Sequence, residues 1–199
     1  HRVLFPMAIR SIIAHVAGSF YGVLYTIYLI DELHLSPLVL GIVVSAGGVG
    51  SLAGSFVASR VIGRLGFGPA LIWTAIGASI VGVLTPLAGG PLPLAVAMVF
   101  VPQLVGDGLQ TIESVAELSL IQGVVPDHIR GRVNATLEVF SHGIAYPLGA
   151  VLAAVLAGWI GVRGGIAIGW AGMALSIVLL VRSPLPHVRQ LSDAARFDD

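Results

Sequence analysis

Apolar residues run through this chain in long blocks, broken by glycine, proline and charge, and not in the three-and-four rhythm of a helix half in water. Six blocks reach the length of a membrane span, at about residues 9–30, 37–58, 69–88, 92–121, 133–160 and 164–181. A spanning helix needs about 20 mostly apolar residues. The separators carry turn chemistry: Asp31-Glu32 with Ser36-Pro37, Gly66 to Pro69, Gly89-Gly90-Pro91, Pro126-Asp127 and Gly161 to Gly165. The short alternating segments of a membrane β-barrel are missing. The pattern predicts an all-α, polytopic membrane protein. A bundle of six transmembrane helices fills residues 1–182, and a polar cytoplasmic tail fills 183–199.

Composition sharpens this. The chain has 199 residues, of which 56% are hydrophobic and 10% charged. So few charges could not cover a surface in water, which excludes a soluble enzyme. Formal net charge is zero, so nothing points to nucleic acid, and without cysteine there are no disulfides or thiolate sites. Arginine supplies every basic residue and sets the orientation, because positive charge stays on the cytoplasmic side. Arg2, Arg10, Arg60, Arg64, Arg130, Arg132, Arg182, Arg189 and Arg196 fall on one side, and Arg163 alone on the other. Both termini are therefore predicted cytoplasmic, in a multi-pass protein of the cell (inner) membrane.

Ionisable groups inside spans mark pathways, since each is costly in lipid. Span four places Gln103, Asp107, Gln110, Glu113, Ser114 and Glu117 on one helical face. Asp107 sits near mid-span and is predicted to face a water-filled path, whereas Glu117 could simply protrude into cytoplasmic water. Span five carries Asn134, Glu138, His142 and Tyr146 at successive i,i+4 steps. Its Glu138–His142 pair could shuttle a proton or act as a static packing bond. Asp107, Glu113, Glu138 and His142 are the candidates for proton coupling. His15, Ser19 and Tyr25 of span one, with Gln103 and Gln110, are the candidates for lining a cavity. Tyr21 and Tyr28 read as interfacial anchors. Span two is rich in small residues, with Gly47–Ser51–Ser55 and Gly50–Gly54 at the spacing of close helix packing. Spans three and six hold no charge and read as peripheral. Spans one to three and four to six follow the same rhythm, the pattern of an inverted three-helix repeat. No phosphate-binding loop and no HExxH helix is present, so neither ATP, a metal nor any cofactor is indicated.

The run from Gln122 through Pro126, Asp127, Arg130, Gly131, Arg132 and Ala135 resembles the loop between the tenth and eleventh helices of major facilitator superfamily transporters. With Tyr146 to Gly149 and Gly158 to Arg163, it looks most like the drug and siderophore exporter branch, including enterobactin and macrolide efflux proteins. The stretch Gly54 to Gly66 resembles the motif between helices eight and nine, with Arg60, Gly63 and Arg64 in place. Ala58 and Ser59 stand where an acidic residue is often found. The resemblance implies helices seven to twelve of that fold, one half of a transporter. It implies that spans one and four line the cavity, two and five meet the other half, and three and six lie outside. Arg60, Arg64, Asp127, Arg130 and Arg132 would then sit in cytoplasmic gating loops. The implied partners are the lipid bilayer, a small-molecule substrate, protons and an N-terminal six-helix half. That half belongs to the same polypeptide, since His1 is no initiator, or to a second copy if synthesis starts at Met7. The function implied is proton-coupled efflux of a small amphipathic molecule by alternating access. A structural or regulatory role, a non-transporting fragment and an intramembrane enzyme are the competing readings.

Overall fold

A computed structural model describes residues 2–195. Five helices among them are long and apolar enough to cross a membrane: α1 (Leu4–Glu32), α2 (Pro37–Leu65), α3 (Phe67–Leu87), α4 (Leu92–Val124) and α5 (Asp127–Arg182). A 3₁₀ turn (Leu185–His187) and the short α6 (Leu191–Ala195) follow, and no strand occurs among the described residues. Arg196 and the rest of 196–199, assigned above to the cytoplasmic tail, lie outside the described residues, as does His1.

Local chemistry sets the boundaries. Ser36 caps α2, its hydroxyl accepting from the Val39 N–H, and Pro37 occupies the first helical position, where no N–H is needed. Gly66 ends α2 at φ 89°, a conformation that costs glycine little. Two of the π-helical turns inside the spans lie at or beside a proline. Pro102–Gly106 interrupts α4 at a residue with no N–H to give, and Val139–Ala145 interrupts α5 just ahead of Pro147.

At 56 residues, α5 would measure about 84 Å if straight, against a hydrocarbon layer of about 30 Å. It is not straight. Gly161 has φ 81° and ψ 163°, and the chain doubles back there. Gly149, before the break, packs on Val16 and Ser19 of α1, while Gly172, after it, packs on Ala17. An unbroken helix would hold those two glycines about 35 Å apart. The turn is the one residue Gly161, shorter than the glycine-rich loop the sequence predicts.

Two apolar clusters hold the bundle. One gathers Phe20, Leu24, Tyr28 and Leu29 of α1 with Val99 and Ile166; the other gathers Met7, Leu71, Leu120 and Leu180. The tail joins the second cluster. Leu185 and Val188 are fully buried, and the Val188 and Arg189 carbonyls accept from the Gly68 and Phe67 N–H groups at 2.8 and 3.3 Å. These are orphan donors at the start of α3. Residues 183–189 are thus a packed cap, not the solvated extension their polarity predicts. Outward faces are apolar, with Leu38, Phe56, Trp159 and Leu175 exposed as a lipid-facing surface requires.

Small residues set the contact of α2 with α4. A Cβ at Gly50 would collide with the Leu104 carbonyl, and one at Gly54 with that of Gly108. The Gly50–Gly54 pair is therefore a backbone-to-backbone crossing. Of the other predicted stripe only Gly47 is buried, and Ser55 is exposed.

Candidate functional site

The polar stripes of α1, α4 and α5 converge on a cavity of about 370 Å³. Arg10, His15 and Tyr21 enter it from α1, and His142 and Tyr146 from the first arm of α5. Asp107, Gln110, Glu113, Ser114 and Glu117 enter from α4, five of the six residues predicted for that face. The volume falls in the range of small-molecule sites.

Glu113 forms a buried ion pair with Arg10, each side chain 8% exposed. Sequence reasoning missed this partner, because Arg10 reads as a cytoplasmic flank of a span starting near Ile9. The helix in fact begins at Leu4, so Arg10 stands more than a turn inside it. Asp107 has no such partner. Its carboxylate makes no hydrogen bond or ion pair with any described residue, and it lies against the bare backbone of Gly47. It also lines a second cavity of about 410 Å³, with Ser51, Thr111 and Leu118, so Asp107 stands in the wall between two spaces.

His142 lies in the π-helical turn of α5, its Nδ1 3.2 Å from Glu138 Oε1. Its Nε2 is 3.3 Å from Nε2 of His15, the two rings meeting edge to face. His15 Nδ1 in turn donates to the Ser11 carbonyl at 2.7 Å. Glu138 contacts His142 and does not itself line the cavity.

Three predicted lining residues lie behind the wall. Ser19 is fully buried, donating to the Val16 carbonyl at 2.7 Å and packing on Gly149. A serine satisfied by its own helix needs no cavity. Tyr25 is buried and stacks on Tyr21, ring centroids 4.2 Å apart. Gln103 falls inside the π-helical turn, where the extra residue rotates it off the face extrapolated from Asp107, and it accepts from the Tyr21 hydroxyl at 3.1 Å. Tyr21 is thus a cavity residue rather than an interfacial anchor. Tyr28 is no anchor either: fully buried, it donates toward the Thr85 and Ala88 carbonyls.

The predicted peripheral helices also contribute. Ala75, Ala78 and Ser79 of α3, with Trp170 and Met173 of the second arm of α5, close the cavity's back. Hydropathy does not separate a helix facing lipid from one backing a cavity with small residues. Trp170 packs over Gly82 and meets the edge of Tyr21.

At the loops, Arg130 pairs with Asp127 and donates to the Val125 carbonyl at 3.4 Å, while Arg60 donates to the Phe56 carbonyl at 3.2 Å. Arg64 and Arg132 are exposed, and among the described residues neither has an ion-pair partner and no ion pair joins the α2 arginines to α5. At the opposite end Arg163 pairs with Glu32 and lies over the Tyr28 ring. No metal-binding group of three or more His, Asp or Glu occurs among the described residues.

A family profile described as Major Facilitator Superfamily matches residues 7–197. No curated protein and no solved structure matches the chain.

Proposed function

Because the chain belongs to the major facilitator superfamily, a family of multi-pass membrane transporters of small molecules, we propose that it works as half of a proton-driven exporter. The transported molecule is small, organic and amphipathic, of the drug or siderophore kind, and it moves outward by alternating access across the cell membrane. Asp107 carries the reading. An unpaired carboxylate at the middle of α4, between two cavities, is costly unless it meets water, a proton or a bound cation.

The turn at Gly161 supports six crossings, with the arms of α5 as the fifth and sixth, and so two inverted three-helix repeats with cytoplasmic termini. Exposure of Glu138 and His142 on the open side of the cavity supports a second six-helix half opposite them, in the same polypeptide or a second copy. Arg60, Arg64, Asp127, Arg130 and Arg132 then lie in the cytoplasmic loops where the halves separate. The charge balance favours a cationic or neutral substrate over an anion. Among the described residues, Arg10 is the one arginine lining the cavity and is held by Glu113, which leaves Asp107 and Glu117 without a dedicated counter-ion there.

The test is flux of a fluorescent amphipathic cation from vesicles carrying the protein with its second half, under an imposed pH gradient. Asp107→Asn abolishes gradient-driven efflux. Undiminished efflux would remove Asp107 from the mechanism.

A further inference from the structure

The contacts around His142 impose a count of hydrogens. Three short polar contacts run in series: Ser11 O to His15 Nδ1 at 2.7 Å, His15 Nε2 to His142 Nε2 at 3.3 Å, and His142 Nδ1 to Glu138 Oε1 at 3.2 Å. Each is attractive only with a hydrogen between its two atoms, since otherwise two lone pairs face one another. Three contacts need three hydrogens. Two neutral imidazoles and a carboxylate hold two. Ser11 O can only accept, so His15 Nδ1 bears a hydrogen in every arrangement, and the deficit falls on the other two contacts.

We propose that Glu138, His142 and His15 form a one-proton site whose polar link between α1 and α5 is complete only while the proton is bound. With the proton the trio has no net charge, as one imidazolium facing one carboxylate, and all three contacts are made. On release the proton passes to cavity water and the trio becomes singly negative. Either the two Nε2 atoms or His142 Nδ1 and Glu138 are then left as facing acceptors, and one contact opens. His142 sits in the widened turn Val139–Ala145, where the backbone departs from regular helix.

The surrounding groups leave the assignment intact. On α1 the nearest charge is Arg10, which is occupied by Glu113. Across the cavity α4 presents Asp107 and Glu117, neither in ion-pair contact with a histidine. The cavity wall from α3 presents Ala75, Ala78 and Ser79, and that from the second arm of α5 presents Trp170 and Met173, none of them ionisable at neutral pH. As the seat of the coupling proton the trio rests on the transport reading. As a one-proton site it does not, and its test reads the proton rather than flux.

The experiment is a pH titration of ¹⁵N-histidine-labelled full chain in lipid nanodiscs, followed by NMR. The nitrogens of His15 and His142 change together in one step. Glu138→Gln, at a side chain 71% exposed and so harmless to folding, moves the shared midpoint by about one pH unit. His15→Gln leaves His142 titrating alone at a different midpoint. Independent titration of His15 and His142 in the unmodified chain, or a midpoint unmoved by Glu138→Gln, overturns the proposal.

Discussion

Glu32 holds Arg163 twice: one carboxylate oxygen accepts from the Arg163 backbone N–H at 3.1 Å, the other from its guanidinium at 3.1 Å. Arg163 lies two residues past the Gly161 break, in the first turn of the returning arm, where backbone N–H groups have no helical acceptor. A side chain at the end of α1 therefore caps the second arm of α5. Glu32→Ala removes the cap and lowers stability by about 1 kcal/mol, the modest size reflecting a half-exposed pair. Thermal unfolding in detergent reads it, against Asp31→Ala, which changes an exposed, unpaired neighbour and leaves the midpoint in place.

The Arg10–Glu113 pair makes an asymmetric prediction. Arg10→Met strands a buried carboxylate and destabilises the bundle by about 3–5 kcal/mol. Replacing both partners, as Arg10→Met with Glu113→Leu, recovers most of that loss, because neither charge is then left alone. Chemical unfolding in mixed micelles separates the cases; a double variant as unstable as the single one would show that the pair was not the cause.

Two glycines two positions apart on α2, and so on opposite faces of the helix, should respond differently. Gly50→Ala drives a methyl into the Leu104 carbonyl, so α2 and α4 must part, at about 1–3 kcal/mol. Gly48 has open space around it, and Gly48→Ala is neutral or stabilising by up to about 1 kcal/mol through its helix propensity. Equal effects at both positions would refute the backbone crossing.

Gly161→Ala meets no clash, only a backbone angle that an L residue rarely adopts. The expected cost is about 1–3 kcal/mol. The weakness is local to the turn, so protease access or hydrogen exchange around residues 159–163 rises before the bundle melts. Unchanged exchange there would mean the chain reverses by other means.

Single residues show what was legible. Ser36-Pro37 and Pro91-Leu92 announced helix starts, because capping and proline chemistry act within a few residues. Asp107 stood out because a charge at mid-span has few uses. Arg10 did not, since its meaning comes from Glu113, about 100 residues away, and hydropathy alone placed it at a span edge. Gln103 was misplaced by one widened turn, which shifts every face upstream of it. Tyr28 was misread because a buried tyrosine and an interfacial one share the same composition, and only the Thr85 and Ala88 carbonyls tell them apart. The helices were readable locally; the pairing of their polar groups was not.

Residues 183–189, which close the start of α3, also say something about the order of assembly. They leave the ribosome only after all five long helices, so α3 enters the membrane with the Phe67 and Gly68 amides still open. The bundle cannot finish consolidating during synthesis of its helices. A quality-control protease that meets the protein early would find one loose end, and would lose it once Leu185 and Val188 have seated.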